Sequence, residues 1–184
     1  SRVEVISGAL SSNYVRLAGI NWELKFPVPD YLTVARVIGE KTTERPSVVD
    51  GVCTVYVRRG DTPRIYFEAI DSTNWDVDRR GRSGIPVGPI TADTTLDEFP
   101  FPQLVSKTCS HSFHLGSGVT SVVVTYDGVS QTKTSDFTLT DLLEGEELVV
   151  RVHTAEGRAC QGQRVFTVAR GHVETTYTTV PSSS

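Results

Sequence analysis

The sequence predicts an all-β fold: an antiparallel sandwich or jelly roll with long loops and at most one or two helical turns. The first observation is residue choice, because the 184 residues include 26 Val, 7 Ile and 22 Thr. Such β-branched side chains lose rotamer freedom in helices and fit the pleated surface of a sheet. The second is the scarcity of strong helix formers, since Leu contributes 11 residues and Ala 8. The third is turn density, because 15 Gly and 9 Pro interrupt the chain.

Alternating apolar and polar residues mark the individual strands, with a turn signal every 8–12 residues or so, as in sandwiches. The predicted strands of the first half run Val3–Val5, Tyr14–Phe26 with a bend at Gly19, Thr33–Ile38, Cys53–Val57 and Arg64–Ile70. Those of the second half run Val119–Tyr126, Gln131–Leu139, Leu148–Val152, Arg164–Ala169 and His172–Thr179.

Two hairpins are expected from turn chemistry. Asp127-Gly128, between the strands 119–126 and 131–139, is the strongest local hairpin signal in the chain. The segment 59–63, Arg-Gly-Asp-Thr-Pro, also contains turn-forming residues and predicts a hairpin tip between the strands 53–57 and 64–70.

Helical signals are confined to two short stretches. Residues 140–144 could form one turn capped by Thr140 or Asp141, and residues 94–98 another, which Pro100 would stop. Residues 71–102 are the least regular part and predict an elaborated surface loop or a junction between two β-units, the kind of segment that carries function.

Charge and length limit the class of protein. A net charge of -4 and a pI near 5.6 argue against a nucleic-acid binder, because no basic surplus exists to neutralise phosphates. No apolar stretch approaches the ~20 residues that span a bilayer, so no membrane insertion is expected. We predict one compact domain at 1–180, with a subdivision near 100–103 as the alternative, and a frayed tail at 181–184. The absence of methionine predicts a domain excised from a longer protein.

The tripeptide Arg59-Gly60-Asp61 is the first candidate for partner binding. At an exposed hairpin tip, the aspartate could complete a metal site on a receptor while the arginine meets a carboxylate. The alternative is an ordinary tight turn, which also favours Gly-Asp.

The irregular stretch supplies the other candidate contacts, namely Asp71, Trp75, Asp76 and Asp78. A tryptophan in a loop suits an interface, and clustered carboxylates could instead bind calcium, which takes 6–8 oxygen ligands. A solvated acidic loop balanced by arginines is the simpler interpretation, and we predict no metal and no cofactor.

Cysteine and histidine offer few chemical sites. Cys109, His111 and His114 could bind zinc, but a structural site wants four ligands and no second cluster follows in the sequence. The pairing of Cys53, Cys109 and Cys160 stays open, with one thiol left over in any case. No Gly-x-Ser-x-Gly elbow or phosphate-binding glycine loop occurs, so we predict a non-enzymatic protein.

The second half resembles immunoglobulin-like and fibronectin type III modules over about residues 103–180. The resemblance rests on the strand and turn 121–128 and on the segment 137–153, in which a strand ends in a Leu-x-x-Gly corner before a Val-x-Val strand. The positions that fill this pattern are Leu142, Gly145, Val150 and Val152, whereas Leu148 stands near the place of the family's corner tyrosine. The resemblance implies a sandwich and says nothing of function.

The whole chain resembles the protruding, or spike, domain of a non-enveloped virus capsid protein. The features that carry this resemblance are compositional: many Thr and Val, no Met, no Asn-x-Ser/Thr sequon, and 14 Arg against 4 Lys. It implies a module on the virion surface that forms dimers or trimers and contacts a host receptor or a glycan. Loops 58–62 and 71–98 would make those contacts.

Two other functions remain open. One is an immunoglobulin-like or fibronectin-like binding module of a cell-surface or phage structural protein, with an extracellular location. The other is a jelly-roll domain that binds or hydrolyses carbohydrate, which would need paired acids across a cleft. A capsid spike should self-associate in solution, whereas a tandem surface module should remain a monomer.

Overall fold

The computed structural model describes residues 3–4, 16–17 and 20–181 of the chain. Its regular structure is almost entirely β, which confirms the predicted all-β sandwich class. Part of the predicted strand 14–26, with its bend at Gly19, and the end of the tail lie outside the described residues. Within the described part, no helix is long and apolar enough to cross a bilayer.

The chain divides into two compact units, which are considered separately below. Unit 1 comprises residues 1–72 and 76–104, and unit 2 comprises residues 73–75 and 105–184. The expectation of one domain at 1–180, with its alternative subdivision near 100–103, stays a prediction.

The first eight strands belong to unit 1: β1 Val3–Glu4, β2 Arg16–Leu17, β3 Asn21–Pro27, β4 Leu32–Ile38, β5 Thr43–Glu44, β6 Val48–Val49, β7 Val52–Arg58 and β8 Arg64–Ala69. The irregular stretch then contributes β9 Trp75–Val77, α1 Arg79–Ser83, β10 Ile85–Pro86 and β11 Thr94–Thr95. The strand β12 Leu104–Ser106 follows it. Two four-stranded sheets form, ordered β10-β8-β4-β5 and β11-β3-β7-β6.

The core of unit 1 lies between these sheets, because alternate residues of each strand point inward. Its buried members include Leu24, Phe26, Val34, Val37, Val55, Val57, Ile65 and Phe67. Within these two sheets, β11 pairs with β3 in parallel and the other described strand pairs are antiparallel.

The expectation of a hairpin at 59–63 is wrong, because β7 and β8 belong to different sheets. The segment crosses between the sheets and pairs with the loop before β11. The Gly60 N–H donates to the Ile90 carbonyl over 2.7 Å, and the Ile90 N–H donates to the Asp61 carbonyl over 2.9 Å. These non-local bonds replace the ladder that a hairpin would have formed.

The single helix of the described chain lies where none was predicted. Asp78 caps α1 by accepting a hydrogen bond from the Gly81 N–H, and Gly81 fits closely against Pro102. The two predicted helical turns are wrong, since residues 94–95 form β11 and β16 continues through residues 140–142. Capping and packing outweigh the weak local propensity of so short a segment.

Unit 2 contains the remaining strands: β13 Cys109–Leu115, β14 Val119–Tyr126, β15 Val129–Lys133, β16 Phe137–Leu142, β17 Glu147–Thr154, β18 Arg158–Gln161, β19 Val165–Thr167 and β20 His172–Pro181. They form two four-stranded sheets, ordered β16-β13-β20-β18 and β15-β14-β17-β19. Between them lies a second core that includes Phe113, Val122, Val124, Leu148, Val150 and Tyr177.

The hairpin at Asp127-Gly128 is confirmed. Tyr126 pairs directly with Val129, and both turn residues have positive φ, 50° and 74°. That is the backbone of a two-residue turn that follows the twist of the strands. The predicted strand 131–139 is nevertheless interrupted after Lys133, because β15 and β16 belong to opposite sheets.

Candidate functional site

The predicted attachment tripeptide has its aspartate inside unit 1. The Asp61 side chain is only 5% exposed. Its Oδ2 accepts hydrogen bonds from the Thr42 hydroxyl over 2.7 Å and from the Lys41 N–H over 2.9 Å. The expectation of an exposed carboxylate is therefore wrong, whereas Arg59 and Gly60 are exposed as expected. Asp61 holds the connection between the two sheets of unit 1.

The acidic residues of the irregular stretch do not converge on one point. Asp78 accepts two hydrogen bonds, one at Oδ1 from the Gly81 N–H over 3.0 Å and one at Oδ2 from the Gln103 N–H over 2.9 Å. Asp76 Oδ1 accepts a hydrogen bond from the Val77 N–H over 2.7 Å. Asp71 is exposed. In the part of the chain that the structure describes, no group of three or more His, Cys, Asp or Glu residues is placed to hold a metal ion.

Trp75, a residue of unit 2, is half-buried at the start of the short strand β9, which corrects its predicted place in an irregular loop. The Arg170 guanidinium lies 4.7 Å from the centre of its ring. Arg170 is itself bound to Glu144 Oε1 at 3.0 Å. The Ser106 N–H, followed by Arg170, holds the pKa of Glu144 below its usual value. Trp75 is thus packed by its own unit on at least one ring face.

The three cysteines are free thiols, so none forms a disulfide. Burial raises the pKa of the Cys53 thiol to about 12, which keeps it protonated at neutral pH. Cys109 is also buried, with its Sγ 3.7 Å from the Ser106 carbonyl oxygen.

The outer face of the β16-β13-β20-β18 sheet carries a hydrogen-bonded polar network. The His172 ring places Nδ1 2.7 Å from the Ser110 hydroxyl and Nε2 3.3 Å from the Ser112 hydroxyl. Ser112 Oγ also lies 2.8 Å from the Thr138 hydroxyl. The members face the same way because the parallel pairing of β13 with β20 sets Ser110 opposite His172.

His114, on the same face, lies between two carboxylates. Its Nδ1 is 3.0 Å from Asp136 Oδ2 and its Nε2 is 3.0 Å from Glu174 Oε1. Both ring nitrogens can donate only when the imidazole is protonated. These two bonds raise the pKa of His114, while the Leu115 N–H and His114 lower the pKa of Asp136.

His111, three residues earlier on β13, faces the opposite way, into the core. Its ring stacks on Phe113 with centroids 4.2 Å apart, and its Nε2 lies 2.7 Å from the Thr175 hydroxyl. Burial, and then the charge of His172, lower the pKa of His111. The predicted zinc candidates His111 and His114 are therefore separated by the sheet itself.

The outer face of the β15-β14-β17-β19 sheet is of a different kind, and the sequence reasoning missed it. On β17 the residues that point outward are Glu147, Val149 and Arg151, while the intervening Leu148 and Val150 are buried. Val149 is 37% exposed, and its partner across the β17–β19 ladder, Val165, is 54% exposed.

A shallow groove of about 300 Å³ crosses this face. It is lined by Val123, Thr125, Ser130, Val149 and Arg151. The sequence does contain a pattern that indicates this face, namely the strict alternation of residues 147–153. One set of alternate residues is apolar and buried, and the other set points outward and places a valine between an acid and a base. We name the outward residues Glu147, Val149, Arg151, Val123 and Val165 the β17 face.

A second cleft, of about 230 Å³, opens between the edge strands β15 and β16. Its lining includes side chains of the core or packed against it, namely Val124, Tyr126, Leu139 and Leu142. It is an opening into the sandwich interior, and no charged pair lies across it to perform acid–base chemistry.

Comparison with known proteins adds little to this picture. No family model matches the sequence, and no curated protein matches it. Among solved structures, the Bacillus anthracis TIE protein is similar over 90% of this chain at 9% identity, with a TM-score of 0.33. The chain spans 35% of that protein's length. A likeness at this level carries no argument about function.

Proposed function

We propose that this chain is a structural attachment module that associates with a second copy of itself through the β17 face. The setting we propose is the protruding domain of a non-enveloped virus capsid protein, at the virion surface. The observation that supports the proposal is the order of outward residues on β17, with Val149 between Glu147 and Arg151.

The exposed valines of the β17 face favour its burial against another surface. Val149 and Val165 are directly paired across β17 and β19, so their exposed surfaces are adjacent. Removing apolar surface from water contributes about 25 cal/mol per Å². On the next strand, Thr125 is opposite Val149 and Val123 is opposite Arg151, so Val123 lies diagonally from Val149 within the same groove.

The charges of the β17 face are self-complementary. A two-fold axis lying in the interface, perpendicular to β17 and passing over Val149, would reverse the strand in the second copy. Glu147 of each copy would then face Arg151 of the other, and Val149 would face Val149. An isologous dimer requires this kind of self-matching pattern, and an unrelated partner does not.

Strand geometry permits both contacts at once. Residues 147 and 151 lie about 13 Å apart along an extended strand, so each is about 7 Å from Val149. Packed sheets lie about 10 Å apart, a gap that a valine pair and the longer Glu and Arg side chains can fill. The two ion pairs would flank the central valine contact and fix the register and specificity of the association.

The test is the molar mass of the full chain by sedimentation equilibrium over a range of concentrations. We expect a dimer for the parent protein and a monomer for Val149→Glu, which sets two carboxylates together at the axis. Val49→Glu is the matched control, because Val49 is a 64% exposed valine in unit 1. It should leave the dimer intact.

Circular dichroism and thermal unfolding of each variant establish that the fold is retained. A parent protein that stays monomeric at every concentration would contradict the proposal and favour the immunoglobulin-like surface module. A dimer that both valine variants leave unchanged would place the interface elsewhere.

A further inference from the structure

The strand β15 forms one edge of the β15-β14-β17-β19 sheet and pairs with β14 alone among the described strands. Its ladder is regular over all five residues, Val129–Lys133. The other edges of unit 2 are shorter or interrupted. The strands β18 and β19 contain four and three residues, and β16 has a shift of register where Asp141 has a φ of 57°. Short edges and bulges hinder the addition of a further strand, so β15 is the most open of the described edges in this unit.

The turn before β15 determines which of its backbone groups face away from the sheet. Tyr126 and Val129 flank a two-residue turn, and in such a hairpin this pair exchanges hydrogen bonds directly. Bonded and non-bonded pairs then alternate along the antiparallel ladder. Every second residue after Val129 therefore also bonds to β14, whereas the N–H and C=O groups of Ser130 and Thr132 point away from it. These groups form a row of alternating donors and acceptors at the edge.

The core side of β15 adjoins the cleft of about 230 Å³ between β15 and β16. Cross-strand partners share one side of a sheet, so Gln131 lies on the core side with Val124, and Val129 with Tyr126. Val129 is nevertheless 60% exposed, and Leu139 of β16 also lines the cleft. A strand added to the edge of β15 would place its own core-side residues next to Val129 and Leu139.

We propose that the edge of β15 and the adjoining cleft bind an extended peptide segment of a partner protein as an additional antiparallel strand. The outward backbone groups require a partner whose main chain is extended. The cleft requires an apolar side chain opposite Val129. Sites that enclose small-molecule ligands have volumes of about 300–1,000 Å³, so this smaller cleft suits a side chain of the added strand. Antiparallel pairing is slightly more stable per residue than parallel pairing.

Charges at the two ends of β15 define the sequence of the partner. Asp127 lies in the turn before β15 and lines the cleft, and Lys133 is the last residue of the strand. Lys133 shares the core side with Val129, because the two are four residues apart. The antiparallel partner would therefore begin with an acid opposite Lys133, continue to an apolar residue opposite Val129 and end with a base beside Asp127. Its intervening residues would be polar, like Ser130 and Thr132.

This site is separate from the β17 face. The proposed dimer covers the outer side of the β15-β14-β17-β19 sheet, whereas the peptide would extend the sheet at its edge and fill the cleft on its core side. Ser130 lines the groove of the outer side, but only its backbone takes part in peptide binding. Val149→Glu should therefore abolish association of the chain and leave peptide binding unchanged.

The first experiment measures binding of the full chain to the fluorescently labelled peptide Glu-Thr-Val-Thr-Val-Lys by anisotropy. In the antiparallel alignment its glutamate lies opposite Lys133 and its second valine opposite Val129. N-methylation of both threonines removes the N–H groups that face β15 and should abolish binding. N-methylation of the first valine, whose N–H faces solvent, is the matched control and should leave binding intact. No binding of the unmodified peptide, or equal losses for the two methylated peptides, would overturn the proposal.

Variants of the chain test the side-chain contacts. Val129→Glu places a carboxylate in the cleft and should weaken binding about tenfold or more. Val49→Glu is its control at the exposed valine of unit 1. Lys133→Glu should also weaken binding, and a peptide with lysine in place of its glutamate should restore it. Circular dichroism establishes that each variant keeps its fold. Equal losses in the two valine variants, or no restoration by the altered peptide, would contradict the proposed alignment.

Amide hydrogen exchange, followed by NMR, locates the contact on the chain. At a peptide concentration about ten times the dissociation constant, the amides of Ser130 and Thr132 should exchange about tenfold more slowly. The unpaired amides at the edge of β18 are the control and should keep their rates. Unchanged exchange at Ser130 and Thr132 would place the peptide elsewhere. Slow exchange of these two amides in the protein alone would mean that a second copy or another part of the chain already covers the edge, and would also overturn the proposal.

Discussion

The two outer faces of unit 2 both belong to four-stranded sheets, but they differ in whether their side chains make hydrogen bonds and ion pairs with one another. On the β16-β13-β20-β18 sheet, hydroxyls, imidazoles and carboxylates bind one another, as in the contacts of His172 with Ser110 and of His114 with Asp136. On the β15-β14-β17-β19 sheet, Val149 and Val165 are exposed beside Glu147 and Arg151.

The difference shows which face gains from a partner. A polar network whose members already bind one another must lose those contacts or bury them imperfectly when a second surface covers it. A face of valines flanked by one acid and one base loses unfavourable apolar hydration and can gain complementary ion pairs. For this reason we assign association to the β17 face and a stabilising role to the network.

The largest expected effect on stability is in unit 1, where a buried and bonded side chain is compared with an exposed one. Asp61→Ala should lower the free energy of unfolding by about 2 kcal/mol, because it leaves the buried Thr42 hydroxyl and the Lys41 N–H without their acceptor. Arg59→Ala, at an exposed neighbouring position, should stay within about 0.5 kcal/mol. Urea unfolding measures both. An Asp61→Ala protein as stable as the parent would mean that this carboxylate is free to recruit a partner after all.

A smaller effect is expected when a valine is placed in the polar network. Thr138→Val removes the hydroxyl 2.8 Å from Ser112 Oγ and should cost about 1 kcal/mol of stability without changing association. The same unfolding experiment, combined with sedimentation, checks both statements. If this variant gained a new dimer contact, an exposed valine alone would be enough for association, and the charge pattern of the β17 face would lose its role.

The histidines of β13 provide a test by NMR titration. His114 should titrate above the usual pKa near 6.5, because Asp136 and Glu174 bind its protonated ring, whereas burial and His172 should make His111 titrate below it. The order of the two midpoints is the result that matters. A reversed order would contradict the placement of the two rings on opposite faces of the sheet.

The raised pKa of His114 also fixes the sign of a pH effect on stability. Its contribution is fully present below the unfolded-state pKa near 6.5 and is lost as pH rises through the folded-state pKa. The lowered pKa of Asp136 has the opposite consequence, since its contribution is lost as pH falls through that value. His114→Gln should remove the part of the fall in unfolding free energy at rising pH that comes from His114. Unfolding curves measured from about pH 6 to about pH 9 would show this. An unchanged alkaline slope would mean that other groups produce it.

The parts of the fold that follow from local chemistry could be read from the sequence. Asp127-Gly128 specifies its turn by backbone preference alone, and alternation located most strands. The place of Asp61 could not be read, because its burial depends on contacts with Thr42 and Ile90, 19 and 29 residues away. α1 also escaped prediction, since packing of Gly81 against Pro102 holds it.

The candidate site could be predicted only in part, because it too depends on contacts between residues that are distant in the sequence. Alternation shows that Glu147, Val149 and Arg151 share one side of a strand. Which side faces the core becomes definite only when Leu148 and Val150 meet the second sheet. A motif such as Arg59 to Asp61, or a set of aspartates such as that of the irregular stretch, can be identified from residue types alone. The role of these residues depends on whether the fold buries them, which residue types do not show.

The most direct measurement mixes two variants of the β17 face, Glu147→Arg and Arg151→Glu. Each alone places like charges opposite each other across the two-fold axis, so each should sediment as a monomer. An equimolar mixture restores both ion pairs, because one copy then carries two arginines and the other two glutamates. We predict a heterodimer from the mixture. A mixture that remains monomeric while the parent protein dimerises would contradict the proposed two-fold contact.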